Sequence, residues 1–411
     1  MVKVTFLHPD LGIGGAERLI VDAALALKGF GHDVKIVTTH HDPKRSFAET
    51  NNGTLPVTVV GNWIPRHIFG KFYAVFAYIR MIYAALAIYF MSDRPDIIVC
   101  DLVSACIPFL RMASDYVIFY CHHPDQLLTQ PGGWLKSLYR IPLNYLEEKT
   151  TGQADKIFVN SNYTLKVFKQ TFKSLDITPE ILYPSIHTDF FDTATPQPLE
   201  NIFADELSNL PADRFIILSI NRYERKKNIL LAIDALATCI EKFKGTENFS
   251  DNIYLIIAGG YDERVNENVT YYQELYDYAT KLNVIDRVIF FKSPKDSEKI
   301  SLLNNCDVLI YTPENEHFGI VPLEAMYLRK PVIAHNSGGP METIVNGVTG
   351  YLVDGQDIVE GFANKIADLI KDSEMRKRFG NAGRQRVIES FSFTAFGVQL
   401  DQVINDLTKR N

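Results

Sequence analysis

The sequence predicts two successive α/β domains, each built on a parallel sheet. Short apolar runs of strand length alternate with helical periods along most of the chain, and such alternation demands crossover connections between parallel strands. Glycine pairs stand at chain turns at Gly14-Gly15, Gly259-Gly260 and Gly338-Gly339. The alternation breaks once, in the proline-bearing polar stretch 192–213, and 411 residues exceed what one hydrophobic core usually serves. The expected division is a first domain over 1–195, completed by a C-terminal helix in 390–411, and a second over 205–389.

In chain order, residues 2–8 (VKVTFLH) form a buried strand, followed by the turn LGIGGAER. A helix follows with apolar positions at Leu19, Ile20, Ala23 and Leu27, then a strand over 34–38. Gly14 and Gly15 at a helix start suit either a cradle for a polar ligand or a plain tight turn. After a strand at 57–60 comes NWIPRHIFGKFYAVFAYIRMIYAALAIYFM, whose last twenty residues carry one charge, Arg80. That length approaches a membrane span. The strands expected on either side, 57–60 and 97–101, belong to one sheet, so a single crossing would separate them. What remains is a core helix or a helix lying in the membrane interface. Trp63, Phe72, Phe76 and Tyr83, beside the basic Arg66, His67 and Lys71, suit the interface.

A strand at 117–121 delivers His122 and His123 to the carboxyl end of the sheet, where open α/β sheets place their chemistry. A base, a metal ligand and a structural role are all open there, but no further ligands at metal spacing are visible. Residues 133–148 supply a second aromatic and basic surface with Trp134, Lys136, Tyr139 and Arg140. A strand over 155–161 ends in a polar turn suited to capping the helix 164–172. Residues 182–185 close the first set.

The second set begins with a strand at 215–220, the loop NRYERKKN, and a helix over 229–243. Strands at 254–258, 287–291, 308–311 and 332–334 alternate with helices at 270–282, 297–304 and near 319. Helices after Asp357 and over 374–389 close the domain. The last twenty residues, amphipathic around Phe396, Leu400 and Ile404, return to the first domain.

The most informative stretch is DVLIYTPENEHFGIVPLEAMYLRKPVIAHNSGGPME, over 307–342. Glu316 sits in the loop and Glu324 in the helix, with the amides of residues 317–321 between them. Free N–H groups at a helix start and the helix dipole favour an anion such as a diphosphate. Glu324 then reaches a ribose, and Glu316 reaches whatever the phosphate carries. Arg222 and Lys227, in a loop after a strand of the same domain, supply phosphate contacts as a fork and a point charge. A solvated basic loop is the plainer reading of that run.

Bulk properties narrow the partners. A net charge of −7 argues against nucleic acid. Five cysteines with no CxxC pair fit a reducing compartment rather than a disulfide framework or a zinc site. The opening strand shows no cleavable signal pattern.

With these residues collected, the chain resembles glycosyltransferase family 4, of the GT-B fold with two Rossmann-like domains facing a central cleft. Glu316 and Glu324, the Arg222/Lys227 loop and the Gly14-Gly15 turn match that family in order and spacing. Within it, the strings HPDLGIGGAERLIVDAAL, FYCHHPD, EEKTTGQADKIFVNS, INRYERKKN and ENEHFGIVPLEAM are similar to those of the dolichol-pathway α-1,3/1,6-mannosyltransferases. The resemblance implies a retaining transfer of mannose from GDP-mannose to Man1GlcNAc2-diphosphate-dolichol, giving Man3GlcNAc2, at the cytosolic face of the endoplasmic reticulum membrane. It implies no required cofactor, leaves a divalent-ion requirement open, and suggests other mannosyltransferases of the pathway as partners. Carried over, Arg222 and Lys227 neutralise the diphosphate, Glu316 faces the mannose, and Glu324 holds the ribose. Phe318, Gly319, Ile320, Val321 and Ser293 meet the donor, with Gly14 and Gly15 near its phosphates. His122 contacts the donor sugar and is not assigned as a base. Asn228 departs from the glycine that many members carry there. The membrane and acceptor side is assigned to Trp63, Phe72, Phe76, Tyr83, Trp134 and Arg140. The alternative is another family 4 transferase with a different donor or a soluble acceptor.

Overall fold

A computed structural model describes residues 1–128, 134–203, 211, 213–246 and 252–409. Among these the first sheet has seven strands: β1 (Lys3–His8), β2 (Asp33–Thr38), β3 (Val57–Val59), β4 (Ile97–Asp101), β5 (Tyr116–Cys121), β6 (Lys156–Val159) and β7 (Glu180–Ile181). Their order is β3-β2-β1-β4-β5-β6-β7 and every pair is parallel. Parallel neighbours need crossovers, so helices cover both faces and the central strands read as unbroken apolar runs. β1 shows this, with only Lys3 exposed. Strand order reverses between β1 and β4, which leaves a crevice at their carboxyl ends.

The helix Tyr73–Tyr89 is two-sided. Tyr78, Met81, Ala84, Ala85 and Ile88 are buried, and so is Arg80, whose guanidinium donates to Thr39 O at 2.8 Å. The sole charge of that run therefore points into the protein. No helix among the described residues is long and apolar enough to cross a membrane.

The second sheet holds β8 (Phe215–Ile220), β9 (Ile253–Gly259), β10 (Val288–Lys292), β11 (Val308–Tyr311), β12 (Val332–His335) and β13 (Gly350–Val353). Its order, β10-β9-β8-β11-β12-β13, reverses between β8 and β11. The edge strand β13 carries no strong sequence signal because it opens on a glycine. There a side chain would press within 2.2 Å of Val332 O, so glycine is what lets the strand pair.

The chain divides into one unit of Met1–Ser185 with Phe393–Asn411, and another of Ile186–Ser392. The break precedes the proline-bearing stretch, part of which, 204–210 and 212, lies outside the described residues. The helix Thr188–Thr193 belongs to the second unit for a packing reason. Phe191 lies against Tyr327, and Asp192 accepts from Tyr327 Oη at 2.6 Å and from Arg384 at 3.1 Å. The helix Phe393–Thr408 buries Phe396, Leu400, Ile404 and Leu407 in the core of the first unit, with Leu19, Ala23 and Leu27. Gly397 permits the close approach, since a Cβ there would meet Ala26 Cβ at 3.1 Å.

Candidate active site

The loop after β8 is built around Tyr223, which is fully buried and donates to Ile257 O at 3.0 Å. Anchoring that ring leaves its neighbours free to face outward. Lys227 is fixed from the other end, because Thr312 Oγ1 donates to its carbonyl at 2.8 Å. Asn228 then turns the chain with φ 48° and ψ 43°. This is the left-handed region that glycine and asparagine share, so the departure from glycine preserves the turn.

Arg222 and Lys227 line a pocket of about 480 Å³ with Asn221, Gly259, Gly260, Ser293, Lys299, Tyr311, Glu316, Gly319, Ile320 and Val321. Three of its lining side chains are cationic, Arg222, Lys227 and Lys299, against one carboxylate, Glu316. That balance suits an anion. The helix Ile320–Tyr327 starts at Gly319 with φ 81° and no side-chain cap, so its first amides have no side-chain partner and face the same wall. Lys227 Nζ bonds Glu316 Oε2. Tyr311, beneath Gly319, has its phenol pushed well above the ordinary value by burial and then by Glu316, so it stays neutral.

Glycines set how closely the walls approach. A Cβ at Gly259 would lie 1.8 Å from Asn221 O, one at Gly338 2.3 Å from Glu316 O, and one at Gly339 2.1 Å from Phe318 O. The last two hold the Glu316 loop against the start of the helix Pro340–Thr343.

Two predicted donor contacts are placed differently. Glu324 does not line the pocket. Its largely buried carboxylate pairs with Lys299 Nζ at 2.6 Å, and Lys299 is the member that faces the pocket. Phe318 does not line the pocket either, and its ring turns inward towards Phe391 at 5.9 Å. Ser293 lines the pocket, but its hydroxyl accepts from Tyr261 N and donates to Tyr261 O, both at 3.0 Å.

Gly14, Gly15 and His122 belong to the first unit and gather around another centre. His8 ends β1 and Asp101 ends β4, the two strands at the reversal of order. Asp101 bridges two imidazoles: Oδ1 lies 2.7 Å from His8 Nδ1, and Oδ2 lies 3.0 Å from His122 Nε2. His8 and Asp101 are both 0% exposed. Glu17, on the helix opened by Gly15, brings Oε1 to 3.9 Å from His8 Nε2. Gly14 makes room for it, since a Cβ there would meet the Glu17 carboxylate at 2.2 Å. Burial opposes charge on His8, yet Asp101 and Glu17 outweigh it and hold the imidazole up to about 10. Burial opposes charge on Asp101 too, and His8 with His122 keep it below the usual carboxylate range. Neither His8 nor Asp101 was singled out by sequence reasoning. The available signal was a polar residue closing each apolar strand, VTFLH and IIVCD.

Of the residues assigned to a membrane and acceptor side, most aromatic ones are exposed and Arg140 is not. Trp63 and Trp134 are 75% and 74% exposed, Phe69 is 95%, and Phe72 and Tyr83 are also exposed. Phe76 is half-buried. Phe72 meets Tyr139 edge-on at 5.6 Å, which ties the Tyr73–Tyr89 helix to Trp134–Thr151. Arg140 is not a surface anchor. It is 8% exposed and its Nη2 donates to Asp125 Oδ2 at 3.1 Å. Beside it Glu147 accepts from the amides of Asp125 and Gln126 at 2.7 and 3.1 Å, and burial with the Asp125 charge pushes its carboxyl up to about 7. The pair is a brace for the loop that carries His122. Among the described residues no group of three His, Cys, Asp or Glu side chains is arranged to hold a metal ion.

Residues 13–190 match the model of Glycosyltransferase Family 4, and 202–386 that of Glycosyl transferases group 1. The chain is 48% identical to the human α-1,3/1,6-mannosyltransferase ALG2 over 411 residues, covering 98% of this chain and 96% of that protein. The chain belongs to the ALG2 mannosyltransferase family. The Dictyostelium discoideum ALG2 is 47% identical, with 99% and 98% covered. Among solved structures, sucrose-phosphate synthase from Thermosynechococcus elongatus matches with a TM-score of 0.73 at 20% identity over the whole of both chains. That likeness concerns the fold alone: two Rossmann-like parallel-sheet units of the GT-B class. The chain is a glycosyltransferase.

Proposed function

We propose that this chain transfers mannose from GDP-mannose to Man1GlcNAc2-diphosphate-dolichol, forming one α1,3 and one α1,6 bond. The supporting observation is 48% identity over 98% of the chain to an α-1,3/1,6-mannosyltransferase, together with a pocket lined by three cations. Arg222, Lys227 and Lys299 are the counter-charges of the donor diphosphate. As the glycosidic bond breaks, charge builds on the leaving phosphate, and fixed cations beside a helix start stabilise that state more than the ground state. The diphosphate shares Lys227 with Glu316, which frees a carboxylate oxygen for mannose hydroxyls. Lys299 relays the effect of Glu324, so ribose contact falls to that pair. In this reading the three cations fill the role a bound metal plays elsewhere, and activity after dialysis against EDTA is expected to be unchanged.

The acceptor is lipid-borne, and the exposed rings of Trp63, Phe69, Phe72 and Trp134 are its membrane-facing side. The place of action is the cytosolic face of the endoplasmic reticulum membrane, where other mannosyltransferases of the pathway are potential neighbours.

Product analysis by mass spectrometry tests the activity, using GDP-mannose and a synthetic Man1GlcNAc2-diphosphate-lipid in liposomes. Gain of two hexoses, strongly slowed in Lys227→Ala, is the expected result. No product with any lipid acceptor would sink the reading. For the surface, a folded Trp63→Ser, Phe69→Ser, Phe72→Ser variant should lose flotation with anionic liposomes.

A further inference from the structure

The buried cluster at the β1/β4 reversal is more costly than a structural role requires. Two ionisable groups, His8 and Asp101, lie wholly out of water, where unpaired charge is heavily penalised. The cluster reaches the surface through Glu17, beside His8, and through His122, beside Asp101. The His122 imidazole is held on two sides: Asp101 Oδ2 at 3.0 Å from Nε2, and the Tyr120 ring at 4.7 Å between centroids. Tyr120 is itself pinned, donating to Leu182 O at 2.8 Å.

We propose that Asp101 is a positioning residue. One carboxylate oxygen is held by buried His8, and the other accepts the Nε2–H of His122, which leaves Nδ1 of His122 as a hydrogen-bond acceptor for a sugar hydroxyl. The proposal rests on the reading of His122 as a contact of the transferred sugar. A carboxylate between two imidazoles accepts from both, so the tautomer of His122 is dictated rather than chosen. His8, between Asp101 and Glu17, is the fixed counter-charge that keeps the acceptor ionised. An amide at position 101 has one acceptor oxygen and one NH2 group, which only donates. It cannot satisfy two N–H groups, and it favours the opposite tautomer of His122, with Nδ1–H facing the sugar.

The test is a double-mutant cycle on kcat and on KM for GDP-mannose, with the lipid acceptor saturating. Wild type, Asp101→Asn, His122→Ala and the double variant are compared, all checked for melting temperature and GDP binding. Each single change is expected to lower kcat by about 10- to 100-fold with little change in KM, and the double variant to be no worse than His122→Ala by more than about twofold. If Asp101→Asn costs its full factor again in the His122→Ala background, Asp101 acts through the fold and the proposal falls. Full activity of His122→Ala overturns the sugar-contact reading, and the proposal with it.

Should Asp101→Asn fail to fold, wild type alone still decides. Long-range 15N–1H correlation of histidine-labelled protein at pH 8, with His122 assigned by its loss in His122→Ala, should show the Nε2–H tautomer. The Nδ1–H tautomer there would overturn the proposal.

Discussion

The two units place their polar residues at the same address, the carboxyl ends of parallel strands where the order reverses, and use it in opposite ways. In the second unit, Arg222 is an exposed cation on a loop, Lys299 is a half-buried one on a helix, paired with Glu324, and Lys227 is mostly covered and tied to Glu316. In the first unit the charges are sunk: His8 and Asp101 see no water, and only the neighbouring Glu17 and His122 reach the surface. An open cationic wall suits a ligand that brings its own charge. A buried relay suits a ligand that is neutral and must be oriented. The difference teaches that one fold position serves attraction or orientation according to how deep its charges sit.

The predictions press on that contrast, from the largest effect down. Lys227→Ala removes the most enclosed cation of the open site and should lower kcat/KM by about a hundredfold to a thousandfold in single-turnover transfer assays. Next comes Gly259→Ala, whose new methyl would sit 1.8 Å from Asn221 O at a φ of 151°. A loss of about 3 kcal/mol or more in chemical denaturation is expected; a variant within 1 kcal/mol, as an approximate bound, would show that the wall relaxes freely. Arg222→Lys keeps the charge but not the fork, and should raise KM for GDP-mannose about tenfold with kcat nearly unchanged.

A smaller effect separates the sunk site from the open one by pH. His8 titrates at about 10 in the folded chain against an ordinary 6.5. Its contribution to stability is therefore complete below pH 6.5 and is lost as pH rises through 10. Melting temperature of wild type should fall between those limits more steeply than that of His8→Gln. Parallel slopes would show that the imidazole is not charged in the fold. Asn228→Gly should be smallest, within about 1 kcal/mol in the same denaturation assay, because the turn already has the geometry glycine adopts.

How much was legible in the sequence follows the same contrast. Strands and crossover helices announce themselves through local periodicity, and the open site through local chemistry. Arg222 and Lys227 share one turn, and Glu316 directly precedes a helix start. Lys299 was missed because its meaning comes from Glu324, reached across a helix packed against its own. His8 and Asp101 were missed because they are 93 positions apart and meet only once β1 and β4 pair. Arg140 was misread since a basic residue in an aromatic helix looks like a surface anchor until Asp125 appears beneath it. The end of the first unit lay earlier than composition suggested, because Phe191 and Asp192 dock on Tyr327 despite the polar run that follows.

The helix Phe393–Thr408 carries a consequence for the order in which the protein matures. Its apolar face completes a core whose other members, from Val2 to Leu182, leave the ribosome before any of Ile186–Ser392. The first unit must therefore wait through synthesis of the entire second unit with the groove around Leu19, Ala23, Ala26 and Leu27 uncovered. During that interval it is a natural client for chaperones, whereas the second unit is contiguous in the chain and can close as soon as Ser392 has emerged.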